Sequence, residues 1–124
     1  MNIFITTGAI FGALGIIIGA FGAHALKKIF NEEQLKNFET GVKYQMYHAL
    51  LLVIIGFNIQ YITSYENLLF YSLTVGIVLF SFSIYGLCIS SARNKKLKIL
   101  GPITPIGGLL LLLGWIILIL NSIN

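Results

Sequence analysis

Charge is what this sequence has least of: 10% of its 124 residues are charged, against 57% hydrophobic. A soluble domain this short has a large surface for its volume, and so few charges would leave that surface uncovered. Aspartate is missing altogether. The four acidic residues, Glu32, Glu33, Glu39 and Glu66, all fall in loops or at the edges of apolar runs. No paired-carboxylate or nucleophile–base spacing is therefore readable, which argues against an enzyme. The single cysteine, Cys88, excludes an intramolecular disulfide and leaves the redox compartment open. Ten-residue segments of alternating polarity are also missing, so a membrane β-barrel is excluded.

Long apolar runs are what is present. Uncharged stretches cover Met1–Leu26, Tyr44–Tyr65, Asn67–Ala92 and Ile99–Asn124. Each exceeds the roughly 20 residues a helix needs to cross a bilayer core about 30 Å thick. Backbone polar groups in lipid must be satisfied internally, so the expected fold is all-α, an integral membrane four-helix bundle. The expected spans are about 3–26, 43–63, 68–91 and 102–121, making residues 1–124 one membrane domain. Ala23-His24-Ala25 has the look of a signal-peptidase site, but no positive segment precedes the run, so retention is expected.

The eight Lys and Arg residues fall in two connections only. Lys27, Lys28, Lys36 and Lys43 lie in 27–43; Arg93, Lys95, Lys96 and Lys98 lie in 93–98. The positive-inside rule places both connections in the cytoplasm and both termini outside, with the plasma membrane as the expected location. Confinement to two loops is a topology signal and not a footprint for nucleic acid. Arg93, Lys95, Lys96 and Lys98 are the expected contacts to anionic lipid head groups.

Asn31 with Gln34 matches capping-box spacing, and Glu32/Lys36 and Glu39/Lys43 are favourable i,i+4 pairs. Leu35, Phe38 and Val42 share a helical face. The segment reads as a short amphipathic helix between spans 1 and 2 that bends near Gly41, or as the start of one long helix from Asn31. Pro102 and Pro105 set the start of the last regular helix near one or the other.

Span 1 carries Gly8, Gly12, Gly15, Gly19 and Gly22 in alternating steps of four and three. Helices in lipid pack through small residues that let backbones approach, and a period near 3.5 favours a left-handed crossing. The stripe reads as packing against span 2 or 3, with a homo-oligomer or cofactor surface as the sharper alternatives. Ser72, Gly76, Ser83, Gly86 and Ser90 form a weaker counterpart in span 3.

Strongly polar groups inside a span are costly and are functional candidates. His24 lies three residues before Lys27, and His48 five after Lys43, so the two are expected at similar depth. Tyr44 and Gln45 fall beside His48, and Glu39 at the helix entrance. This cluster of His24, Glu39, Tyr44, Gln45 and His48 has two readings: a clip between spans, or a site for a ligand or proton. Two histidines are too few to define a metal site, and no cofactor is indicated.

The block Gly19-Ala20-Phe21-Gly22-Ala23-His24-Ala25-Leu26 is followed by Phe38-Glu39-Thr40-Gly41-Val42-Lys43-Tyr44-Gln45-Met46-Tyr47-His48-Ala49-Leu50. Together with the Gly-Pro-Ile-Thr-Pro-Ile-Gly-Gly entry to the last span, they closely resemble the YgdD/YwdK-like family of small membrane proteins (domain of unknown function 423). The resemblance covers essentially the whole chain. It implies a four-span plasma-membrane protein and brings no catalytic residues with it. The expected role is non-enzymatic support of membrane organisation or of a membrane assembly, with the bilayer, a second copy or another membrane protein as partner. The alternative is a small-molecule, ion or proton transporter, channel or ligand-binding protein using the His24/His48 cluster.

Overall fold

The structure is a computed structural model describing residues 1–124. It is all helical: α1 (Ile3–His24), α2 (Glu32–Asn58), α3 (Ser64–Ile77), a π-helical turn (Val78–Phe82), α4 (Ser83–Ala92) and α5 (Leu100–Ser122), with a 3₁₀ turn at Leu26–Lys28. The π turn joins α3 and α4 without interruption, so the chain forms four columns.

The first two columns begin where a side chain can satisfy free N–H groups. Asn2 caps α1 by accepting from the Ile5 N–H at 3.2 Å, and its own amide donates to the Gly56 carbonyl at 2.8 Å. One side chain thereby fixes the start of α1 to the end of α2. The capping box at α2 forms in both directions, Gln34 N–H to Asn31 at 2.8 Å and Asn31 N–H to Gln34 at 3.0 Å.

Of the two readings for the segment after Asn31, the structure takes the single long helix. The amphipathic stretch is the first three turns of α2, not a separate segment between spans. Gly41 provides no bend because it lies against the Tyr85 ring, and its carbonyl accepts from the Ser81 hydroxyl at 2.7 Å. The helix α5 likewise starts at Leu100, ahead of both prolines. Pro102 falls in the first turn, where no N–H bond is due. Pro105 lies a turn later and leaves the Gly101 carbonyl without its i+4 donor.

The glycine stripe of α1 faces α2. Gly22 meets Phe38, Gly19 meets Val42, Gly15 meets Gln45 and Met46, and Gly8 meets Ala49 and Val53. In return, Gly56 of α2 receives Phe4 and Ile5. Gly12 is the exception: a Cβ there would meet nothing within 4 Å. Four of the five glycines thus pack against α2 within the chain. On the other side of the bundle Gly76 receives Leu111, Gly114 receives Leu73, and Gly107 lies against the backbone of Leu79 and Phe80 in the π turn. A larger apolar core (including Phe4, Phe11, Leu52, Leu69, Leu73 and Leu111) fills one end, and a smaller one (Leu26, Phe30, Phe38, Tyr85, Cys88) the other.

The exterior is as apolar as the interior. Ile16 and Ile17 of α1, Leu50, Ile54 and Phe57 of α2, Leu68 and Val75 of α3, and Leu109 and Ile119 of α5 all point outward. An apolar band on every column suits lipid and not water. Three columns are long and apolar enough to cross a membrane: Ile3–Lys28, Ser64–Ala92 and Leu100–Ser122. The fourth, α2, has the length at 27 residues, but its charged first turns with Lys43, Gln45 and His48 dilute its apolarity.

Candidate functional site

The antiparallel register of α1 and α2 decides which polar groups meet. Because Gly15 faces Gln45 and Gly22 faces Phe38, His48 lies level with Gly12, and His24 lies level with Lys36. His24 stands 12 residues (24 less 12) along α1 from His48's level, about 18 Å at 1.5 Å per residue. The expectation that the two histidines share a depth is therefore wrong. Lys27 and Lys43 do not mark one boundary, because the chain reverses within residues 25–31 and α2 is already helical at Glu32. His24 is exposed on the last turn of α1. Glu39 is also exposed, beside Lys43 on a small groove between α1 and α2, and takes no part in the central cluster.

Tyr44, Gln45 and His48 do come together, with partners from every column. Gln45 is fully buried. Its amide nitrogen donates to the Phe11 carbonyl of α1 at 2.8 Å, and its amide oxygen accepts from the Tyr85 hydroxyl of α4 at 2.6 Å. The side chain at i+4 normally shields a helical carbonyl, and here that residue is Gly15, so Phe11 is uncovered for Gln45. Stripe and network are thus one device: the missing Cβ that admits α2 also bares the acceptor its glutamine needs.

His48 joins α2 to α5. The Trp115 indole N–H donates to Nε2 at 3.0 Å, and Nδ1 lies 2.6 Å from the Tyr44 carbonyl. An indole can only donate, so Nε2 accepts and the imidazole proton resides on Nδ1, directed at that carbonyl. Both ring nitrogens are committed. The Tyr44 ring stacks on the imidazole at 6.3 Å and meets Phe80 edge-on at 5.2 Å.

The π turn completes the arrangement. It shifts the helical phase so that Ser81 and Tyr85 face α2, while Ser83 faces α5 and shares a 2.6 Å hydrogen bond with Thr104. Ser81, Tyr85 and Trp115 were not anticipated as members. Their signal was available, since each is a polar group in the interior of an otherwise apolar run. In the basic loop, Arg93, Lys95, Lys96 and Lys98 are all exposed, and only Lys96 and Lys98 line a cavity, of about 460 Å³, against α2 and α4.

Comparison with known proteins agrees with this architecture. The model of a protein family of unknown function, DUF423, matches residues 18–108. A UPF0382 membrane protein of Staphylococcus haemolyticus is 39% identical over 98% of this chain and 96% of its own length. The UPF0382 membrane protein YwdK of Bacillus subtilis is 38% identical over 100% of this chain and 98% of its own. A UPF0382 membrane protein of Schizosaccharomyces pombe is 38% identical over 86% of this chain and 90% of its own. No solved structure matches. With a family match over most of its length and full-length relatives named as membrane proteins, the chain belongs to the DUF423 family of membrane proteins.

Proposed function

We propose that the protein is a non-enzymatic structural element of the plasma membrane, supporting bilayer organisation or a larger membrane assembly. The observation that carries this reading is that Gln45 and His48 hydrogen-bond to partners on α1, α4 and α5. Each polar atom of the two side chains has a partner within the protein, and three of the four bonds join α2 to another helix. Residues 27–43 and 93–98 face the cytoplasm in this reading, with both termini outside. The contacts such a role requires are lipid and a second copy or another membrane protein. Since α2 covers most of the glycine stripe, a second copy would meet the exposed Ala9, Ala13 and Ala20 instead.

One observation favours the transporter or ligand-binding alternative: a groove of about 250 Å³ beside His48, lined also by Tyr44, Phe80 and Trp115. A ligand there would have to displace Trp115 from His48 and would do without His24.

Thermal unfolding in detergent separates the two. His48→Ala and Gln45→Leu should each destabilise by about 1–3 kcal/mol, because Trp115 or Tyr85 loses its partner. His24→Ala should stay within about 0.5 kcal/mol of the parent. Unchanged melting in both network variants, together with a lost ligand or flux, would sink the structural reading. The orientation has its own check: Asn94→Cys in a Cys88→Ser background should react with an impermeant maleimide only after the cells are opened.

A further inference from the structure

We infer that the flank between α2, α4 and the start of α5 holds the head group of one phospholipid, gripped through its phosphate by Lys96 and Lys98. The inference rests on the reading that residues 27–43 and 93–98 lie at one membrane surface, but not on the Gln45–His48 network, so the two can fail separately.

Two cavities, of about 460 and 370 Å³, share Asn37, Leu87, Cys88 and Gly101 and so form one cleft. Each falls in the roughly 300–1,000 Å³ range of small-molecule sites. The lining changes character along its length. Lys96 and Lys98 line the first cavity only, with Gln34 and Ser91; Asn37 and Leu87 line both; and the second adds Ile84 and Pro105 with the hydroxyls of Thr40 and Thr104. The cations are thus confined to one cavity and the greater aliphatic share to the other, which suits a phosphate at the first and the glycerol and the start of an acyl chain at the second.

The loop carrying the lysines is built to hold them there. Asn94 takes a left-handed turn at φ 59°, and Ser90 fastens the return, its carbonyl accepting from the Lys95 N–H at 3.0 Å and its hydroxyl from the Leu97 N–H at 3.2 Å. Leu97 and Ile99 are exposed and alternate with Lys96 and Lys98. Aliphatic groups between lysines are what a segment lying at the lipid head-group level requires. The depth agrees. Asn37 adjoins Phe38, which packs on Gly22, while next to that glycine α1 still presents an exposed Phe21 to the surroundings. The polar cleft therefore reaches a level at which the opposite flank is apolar, and that favours a lipid over an ion from bulk water.

Acceptors share the cleft with the lysines, among them the Glu33 carboxylate, and Gly101, whose carbonyl lacks the i+4 donor that Pro105 removes, lies on its wall. They would repel a second phosphate but suit hydroxyl donors. A phosphodiester bearing a hydroxylated alcohol, as in phosphatidylglycerol, supplies both halves; phosphatidylcholine supplies only the phosphate.

The test is native mass spectrometry of the full-length protein released from detergent after incubation with equal phosphatidylglycerol and phosphatidylcholine. One retained phosphatidylglycerol is expected, in at least about tenfold preference. Lys96→Ala/Lys98→Ala should abolish that preference. Arg93→Ala/Lys95→Ala, on the same loop but outside the cleft, should change it less than about twofold. Gly101→Leu provides a second route, because a side chain there enters open space, and it should expel the lipid with both lysines intact. Equal losses in the two double variants would reduce the site to diffuse attraction and overturn the inference. So would equal retention of the two lipids. Displacement by inorganic phosphate at matched concentration would assign the cleft to a soluble ligand and overturn the lipid source.

Discussion

The two long seams of the bundle solve the same packing problem differently. Along α1–α2 the glycines sit mainly on one helix and accept side chains from the other, Phe38, Val42 and Met46, with the Ala49 and Val53 backbone also close at Gly8. Along α3–α5 the glycines are divided between the partners, with Gly76 on one and Gly107 and Gly114 on the other. At Gly107 what enters is no side chain but the main chain of the π turn. Side chains can choose another rotamer, whereas a backbone can yield only by moving a whole helix. The first seam is therefore forgiving except at Gly8, where the backbone of Ala49 and Val53 lies close, and the second is locked most tightly at Gly107.

The sharpest way to break this comparison is at the lock. Gly107→Leu should cost about 3 kcal/mol or more, because the added atoms overlap the Leu79–Phe80 backbone; loss of a monodisperse peak in size-exclusion chromatography would report it. Within the first seam, Gly8→Ala and Gly12→Ala form a matched pair. A Cβ at Gly8 would lie 2.7 Å from the Ala49 carbonyl oxygen, so a loss of about 1–3 kcal/mol is expected in thermal unfolding. Gly12→Ala should instead be neutral or stabilise by about 0.5–1 kcal/mol, since alanine favours the helix and nothing obstructs it. Equal effects at the two positions would show that the seam does not have this register. The smallest effects belong to the seam ends. Asn2→Ala should cost about 1 kcal/mol for the lost cap and the lost bond to Gly56. Tyr65→Phe, which removes only a 3.4 Å contact to the Ile117 carbonyl, should cost less than about 0.5 kcal/mol in the same assay.

The same difference explains what could be read from the residues alone. The α1 face was legible because its glycines repeat on one helix, and the Asn31–Gln34 box because both partners lie within one turn. The α3–α5 seam was only partly legible: Ser72, Gly76 and Ser83 mark one side, but the π turn breaks the helical phase between Gly76 and Gly86, and nothing local pairs Gly76 with Gly107 and Gly114 on the other helix. Within the site, Tyr44, Gln45 and His48 could be grouped because they share a helix. Tyr85 and Trp115 stand 40 and 67 residues from their partners, and nothing local announces those pairs. His24 was misplaced for a related reason. Lys27 and Lys43 would mark one membrane edge only if both helices began their apolar runs at the same depth, but α2 carries its charges for three helical turns alongside the apolar end of α1.

The Trp115–His48 bond has a practical side. Trp115 is the only tryptophan in the chain, and its ring nitrogen ends on the histidine that joins α2 to α5. Indole emission depends on what its N–H touches, so the protein carries an intrinsic optical reporter placed at the junction of its helices. Separation of those columns, by a variant, a detergent or a bound partner, would change the colour and lifetime of that one fluorophore without any label being attached.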